Sequence, residues 1–347
     1  MMTLRFLAEL PRVPMETSWY LTDLAEAKGR LKSLTEQAPR RLKALREQAL
    51  IESAVSSNRI EGIEFDDSGV RELVFGGPAP RNRNEEEVRG YREALERIHA
   101  SQSRLAVSEE TVLELHRLSR GQVVDAGQYR QKDVDVLETA PDGHARRLKT
   151  VPARDIPAAM GELVGLWNRF GHRTISPLLT LAAFNLDFLV IHPFRDGNGR
   201  VARLLFFLQC YHLGIDVGRY VSIERIIEQN KERYYETLEE ASRGWDRYTY
   251  DPWPYLNYVL SILKEAYREL EERVGQTGAR RGEKSGVVIA AINRMPGDFS
   301  IAGLLEECPG VGADLVRHIL QRLRLDGAAE SLGRGRSALW RRVRRIE

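Results

Sequence analysis

Residues 192–203 read His192-Pro193-Phe194-Arg195-Asp196-Gly197-Asn198-Gly199-Arg200-Val201-Ala202-Arg203, and the rest of the chain is organised around them. The residue before a proline avoids helical backbone, so the apolar run 178–191 is predicted to form a helix that stops at about Ile191. Gly197 and Gly199 permit backbone angles and close approach that other residues resist. Apolar residues resume at 201–213 with helical spacing, which puts Asn198 near the start of a second helix. A loop carrying glycines into a helix start presents free N–H groups and the positive end of the helix dipole, a site for anions and above all phosphate. Arg200 and Arg203 are three apart, share a helix face and can grip an extended phosphate chain. Asp196 is a hard oxygen ligand, suited to Mg2+ held partly by phosphates. His192, with an ordinary pKa of about 6.5, suits a general base. Singly, a His-Pro is commonly a helix end and a Gly-Asn-Gly a turn. Together they place a base, a metal ligand, a phosphate nest and two arginines within one short segment, the parts that nucleotidyl transfer needs.

Helix signals dominate outward from this segment. Apolar spacing predicts helices over 18–48 and 40–62, the latter closed by Gly62, and then at about 84–102, 108–119, 153–170, 176–191, 198–213, 223–243 and 252–273. Two glycines and two prolines in 76–82 mark a loop. One stretch departs from the helical pattern: 133–152 alternates apolar positions around Pro141-Asp142-Gly143, a hairpin signal. A lone hairpin is not stable by itself, so it must lie on the helices. Residues 275–286, rich in Gly, Arg and Lys, are expected to be a linker. Beyond it, helices at 287–295, 300–307 and 312–326 and two short strands within 328–343 suggest a winged helix at 287–347. Trp340 is expected in its core rather than as a platform for stacked bases.

Composition sets the outer bounds. The 347 residues allow two or three domains, and 42% hydrophobic with 29% charged residues is ordinary for a soluble globular protein. A net charge of +2 argues for no polyanionic partner of the whole molecule. Residues 315–347, however, carry nine Arg against three Asp/Glu, a local balance of +6 that fits DNA-backbone binding as well as it fits a solvated or protein-docking face. The two cysteines, Cys210 and Cys308, exclude a disulfide framework and a Cys-rich zinc site, so a cytoplasmic location is expected. No secretory pattern opens the chain, and no apolar run is long enough to span a bilayer, so no membrane association is expected.

The segment 192–203 resembles the motif of the Fic family, His-x-Phe-x-(Asp/Glu)-Gly-Asn-Gly-Arg-x-x-Arg, at every fixed position. The resemblance implies a mainly α fold. This would be a Fic-type helical bundle with a small β-hairpin flap, followed by the C-terminal winged-helix (α+β) domain. On this basis 1–100 is an N-terminal helical region carrying an inhibitory helix, and 101–274 is the Fic catalytic core with its flap hairpin at 133–152. The implied activity is transfer of AMP from ATP to Ser, Thr or Tyr hydroxyls of a target protein, or of the chain itself. His192 would deprotonate the hydroxyl. Asp196 would hold Mg2+ (or Mn2+) across the α- and β-phosphates. Gly197, Asn198 and Gly199 would bind phosphates, Arg200 would support the chain and Arg203 would grip the γ-phosphate. Phe194 would anchor the core. Gly127-Gln128-Tyr129-Arg130 resembles the approach to the family's flap, which would clamp the target by adding it as a strand. Tyr234, Tyr235 and Ser242 lie in a stretch that resembles the adenine-side helix, with Ser242 where many relatives have Asn.

Ser57-Asn58-Arg59-Ile60-Glu61-Gly62 resembles the family's inhibitory motif, (Ser/Thr)-x-x-x-Glu-(Gly/Asn). Glu61 would pair with Arg203 and take the place of the γ-phosphate, one carboxylate competing with one phosphate for a guanidinium. In such relatives the same Glu can also position a water to remove AMP. Fic proteins of this layout often self-associate, which adds a homodimer to the expectations. Two alternatives stand beside AMP transfer. One is a Fic-fold transferase of UMP, phosphocholine or phosphate, although the phosphate-transferring branch usually has Lys where Gly199 stands. The other is an ATP-sensing transcription regulator that binds DNA, against which the intact His192 and Asp196 weigh.

Overall fold

A computed structural model describes the chain except residues 1, 38, 64–79, 135, 140–144, 171–174, 248, 296, 309–310, 334–337 and 345–347, with the side chains of 32–41, 136–148, 275–284, 287, 294 and 306 also left aside. Contacts divide it into two units, Met1–Glu271 and Glu272–Glu347.

The first unit is built around helix α7 (Pro177–Ile191), whose residues from Leu179 to Ile191 are buried on every side. A helix that is apolar all round can only be an interior element. Each fully buried Leu or Phe in it contributes about 1.5–3 kcal/mol of hydrophobic stabilisation. Pro177 opens the helix and His192, in the left-handed region at φ 53°, closes it ahead of Pro193. Helix α8 (Asn198–His212) follows at once and packs on α7, also largely buried. Around this pair stand α1 (Thr3–Ala8), α2 (Met15–Gln37), α3 (Pro39–Ile60), α4 (Arg83–Ser101), α5 (Glu109–Arg120), α6 (Ile156–Phe170), α9 (Ile223–Gln229) and α10 (Lys231–Ser242). Helices α4 and α5 pack on each other and on α8, while α3 packs on α4 and α9. Strands β1 (Val136–Thr139) and β2 (Ala145–Leu148) pair antiparallel, Val136 opposite Leu148, inside the predicted 133–152 hairpin; its Pro141-Asp142-Gly143 turn lies outside the described residues, as do 76–79 of the predicted loop.

Three boundaries differ from the sequence reading. The helix predicted over 18–48 ends at Gln37, and the next opens at Pro39, a residue suited to a first helical turn and not to a helix interior. The helix predicted over 223–243 breaks at Asn230, which leaves helical backbone (φ −120°, ψ 31°) and returns its Nδ2 to the Ile226 carbonyl at 2.9 Å. The helix predicted to end near 273 continues as α11 (Trp253–Arg294) through the stretch read as a linker. No proline stands between Pro254 and Pro296 to stop it, and glycines cost a helix only about 1 kcal/mol each.

In the second unit the end of α11 is followed by β3 (Phe299–Ser300), α12 (Ile301–Glu306), α13 (Ala313–Leu325), β4 (Ala329–Ser331) and β5 (Leu339–Arg342). The sheet is antiparallel in the order β3-β5-β4. The two-residue β3 is too short to leave a sequence signal. Its core gathers Val288, Ile292, Phe299, Leu304, Val316, Leu320 and Leu323 under Trp340, which is buried as expected.

Candidate active site

The start of α8 has no side-chain cap. Its first N–H groups have no partner within the helix, and Gly197 immediately before it takes φ 82°. A side chain there would be strained and would also meet Arg120 Cδ at 2.9 Å. Asn198 closes the loop: it accepts from Phe194 N–H at 2.9 Å and donates to Phe194 C=O at 2.8 Å. Its amide is therefore spent on loop shape. In front of Gly199 a methyl group would collide with Glu61 Oε1 and stand 3.1 Å from Arg203 Nη1. A carboxylate thus occupies the anion cradle that the glycines make.

Glu61 reaches that cradle through the end of α3. Gly62, at φ 77°, lets its own N–H bond Arg59 C=O at 3.0 Å and the Ile63 N–H bond Asn58 C=O at 3.1 Å. This double bond pattern is a Schellman turn, and it fixes Glu61 as the C-cap residue. Arg203 meets the same helix at two levels. Its Nε donates to Ser57 Oγ at 2.8 Å, and its Nη2 donates to Ser57 C=O at 2.9 Å and to Glu61 Oε1 at 2.8 Å. Burial opposes the charge of Arg203, but Glu61 and the phenols of Tyr91 and Tyr234 hold its pKa above the usual value. The remaining nitrogen, Nη1, is buried without a hydrogen-bond partner among the described residues. An unpartnered guanidinium N–H beside an uncapped helix start is a donor set for phosphate.

His192 caps α7 from the other side. Its Nδ1 stands 3.3 Å from Leu189 C=O, so Nδ1 carries the hydrogen and Nε2 is left as the acceptor. Burial pushes its pKa down to about 4, with Arg130 adding to the effect and Glu61 and Asp196 opposing it, so the imidazole is neutral at pH 7. Asp196 has a half-exposed carboxylate, paired with Arg120 at 2.9 Å and near Arg200 at 3.6 Å and Arg83 at 3.7 Å.

The Fic/DOC family model matches residues 106–210, the span that holds His192, Asp196, the glycines and both arginines of this site. The chain carries a Fic domain. Among curated proteins it is similar to "Protein adenylyltransferase Fic" of Nematostella vectensis, 26% identical over 266 residues, which cover 72% of this chain and 55% of that protein. The protein of the same name from Drosophila mojavensis is 27% identical over 71% of this chain and 46% of its own length. The chain thus spans about half the length of the curated relatives it matches. In fold it is similar to a Fic family protein from Desulfovibrio desulfuricans, 23% identical with a TM-score of 0.63, over 97% of this chain and 98% of that one. A Fic domain containing signaling protein from Bacteroides thetaiotaomicron is 22% identical with a TM-score of 0.59, over 73% of this chain and 98% of that one.

The Fic domain also relies on residues that the sequence reading passes over. Glu87 on α4 is buried and binds Arg120 at 2.5 Å, Arg200 at 2.6 Å and Arg83 at 3.0 Å. Arg200, itself buried, adds a 3.3 Å bond to Asn58 beside the Schellman turn. Arg130 donates to His192 C=O and Lys132 C=O at 2.8 Å and to Thr150 Oγ1 at 3.1 Å, and also contacts Val151 C=O, so it ties both legs of the hairpin to the base. The approach Gly127–Arg130 was visible in the sequence; the rest was not, because Glu87 four residues after Arg83 looks like an ordinary surface pair. The expected adenine-side residues divide. Tyr235 donates to Ile60 C=O at 3.4 Å, next to Glu61. Tyr234 is buried among Tyr255 and Tyr258, and Ser242 bonds its own helix at Glu239 C=O, 3.0 Å.

Proposed function

We propose that this chain is a protein adenylyltransferase held back by Glu61, transferring AMP from ATP to a Ser, Thr or Tyr hydroxyl. One observation carries the reading: a carboxylate sits between Gly199 and Arg203 at the uncapped start of α8, where a terminal phosphate would bind. His192 Nε2 would take the hydroxyl proton while that oxygen bonds to the α-phosphorus, and the bond from the α-phosphorus to the bridging oxygen breaks to release pyrophosphate. Asp196 is the carboxylate that would hold Mg2+ or Mn2+ brought by the nucleotide. The described residues contain no group of three or more His, Cys, Asp or Glu able to cage a metal, and one carboxylate with phosphates suffices for this ion. Bound there it would neutralise phosphate charge, and the Arg120 pair with Asp196 would have to yield.

The hairpin at 133–152 is proposed to clamp the target segment. Self-modification, a homodimer through exposed Leu10, Met15 and Trp19, and a cytoplasmic site of action belong to the same reading. No described helix is long and apolar enough to cross a membrane. We also propose the division into 1–100, 101–274 and a winged helix at 287–347.

The test is labelling with ATP marked at the α-phosphate, with Mg2+ or Mn2+, on wild type, Glu61→Gly and His192→Ala. Glu61→Gly should label at least tenfold more than wild type, His192→Ala not at all, with a mass gain matching AMP. Equal labelling of wild type and Glu61→Gly removes the brake. Label from UTP but not ATP replaces the donor, and label lost from pre-modified target on adding wild type adds the reverse reaction.

A further inference from the structure

We propose that the second unit, Glu272–Glu347, binds duplex DNA by laying α13 in the major groove. Helix α13 buries Val316, Ile319, Leu320 and Leu323 and turns Arg317, His318, Gln321, Arg322 and Arg324 outward. At about 100° per residue, Gln321 lies near the middle of the outward face, with Arg322 on one flank and Arg324 on the other. A major groove about 12 Å wide admits one helix and puts a phosphate strand along each side of it. Arginines flanking a central Gln match that geometry, because Gln is a side-chain type that reads base edges while flanking guanidiniums meet phosphates.

Charge use within the unit sharpens the choice of partner. The described arginines that follow α13 are committed to structure. Arg341 forms a two-pronged pair with Asp298 at 2.7 and 2.8 Å, Arg342 donates to Asn293 C=O at 2.5 Å, and Arg344 donates to Asp326 C=O at 3.2 Å. Arg322 and Arg324 have no such partner among the described residues and stand exposed. On the same face Arg317 is paired with the fully exposed Asp314 at 2.6 Å, a carboxylate that a polyanion would oppose. The outward face of α13 is polar apart from Leu325, which suits a duplex better than a lipid surface.

The experiment uses the full-length chain without nucleotide and a fluorescently labelled duplex of mixed sequence, followed by anisotropy between about 50 and 200 mM salt. Non-specific binding in the range of about 10⁻⁴–10⁻⁶ M at physiological salt is expected, weakening steeply as salt rises. Arg322→Glu with Arg324→Glu should weaken it at least tenfold and flatten the salt slope by about 2. The Lys pair at the same positions should retain binding, and Asp314→Asn should tighten it a few-fold. Unchanged melting temperatures separate these effects from unfolding. Absence of binding at low salt, or binding indifferent to the double reversal, overturns the proposal. So does a salt-insensitive self-association removed by Leu339→Ser, which would make the exposed Leu332, Leu339 and Val343 a protein interface. Because no ATP is present and His192→Ala should bind equally, this outcome is independent of whether the Fic domain transfers AMP.

Discussion

His116 holds the loop between α7 and α8 from beneath, although it has no part in the motif. Its ring stacks on Phe194, centroids 3.8 Å apart and planes 8° from parallel. Gly127 N–H donates to its Nδ1 at 2.8 Å, which leaves Nε2 to donate to Asp196 C=O at 3.1 Å. One neutral ring thus fixes the loop residue before Gly197 and the residue that starts the approach to the hairpin. His116→Ala would remove the stack and leave two backbone groups unpartnered, a loss on the order of 2–4 kcal/mol. The expected result is a lower melting temperature and, in the Glu61→Gly background, weaker ATP binding. His116→Asn should recover part of the binding, since an amide can restore one of the two bonds. Full ATP affinity in His116→Ala would show that the loop holds its shape without it. The proposed reacting residues stand out in the sequence because they fall in one contiguous segment, 192–203. His116, Glu87 and Arg120 do not, because they act through packing of α4 and α5 on α8, and a buried Glu or His on an amphipathic helix has the same spacing as an exposed one.

The proposed inhibitory element, α3 with Glu61, divides into a firmly fixed body and a tip held by one turn. Along α3, Ser53 donates to Glu224 Oε2 at 2.7 Å, while Tyr91 from α4 donates to Glu224 Oε1 at the same distance. Glu224 is fully enclosed, and burial raises its pKa. Breaking such a buried network costs several kcal/mol, so displacing the whole helix is a costly way to release Arg203. The last turn is different: Glu61 is partly exposed and depends on Gly62 in the left-handed region. No described atom would stand within 4 Å of a side chain at Gly62, so among the described residues Gly62→Ala would meet only backbone strain, about 1–2 kcal/mol. That should loosen the Glu61–Arg203 pair and raise AMP labelling roughly three- to tenfold, short of Glu61→Gly, with the melting temperature lowered by a few degrees. Labelling no higher than wild type would mean that the Schellman turn does not set the position of Glu61. The six-residue inhibitory motif was readable in sequence as a pattern; the anchoring of its helix was not, because Glu224 next to a helix start looks like any first-turn acid facing water.

Across the whole of the first unit, the buried titratable groups set how it responds to acid. His116 is buried and His99 and His192 are largely enclosed, and desolvation lowers their pKa values from about 6.5 to about 4, 3 and 4 respectively. Below pH 6.5 the unfolded chain binds protons at these sites that the folded chain refuses, so their contribution is intact above that pH and is lost as pH falls toward the folded values. By pH 5 each amounts to a loss on the order of 1–2 kcal/mol. Asp187 works the other way. It accepts the Thr3 and Leu4 N–H groups and the Trp245 indole at the base of α1, yet burial outweighs these bonds and lifts its pKa to about 6. In the window from 6 to 3.8 the folded state holds that proton more tightly than the unfolded state, which returns part of the stability. Three histidines stand against Asp187 and Glu224, whose burial likewise raises its pKa; the histidines titrate out over the whole range below pH 6.5, so the melting temperature of the first unit should fall between pH 7 and pH 5. His99→Gln, which cannot charge, should shrink that fall, while Asp187→Asn should enlarge it by removing the compensating proton. The active site should tolerate the same range better than the fold does. His192 remains neutral to about pH 4, so AMP labelling by Glu61→Gly at a temperature well below melting should show no loss of its base form near pH 6.5. An acid limb centred there would mean that His192 is solvated in solution and titrates as an exposed histidine.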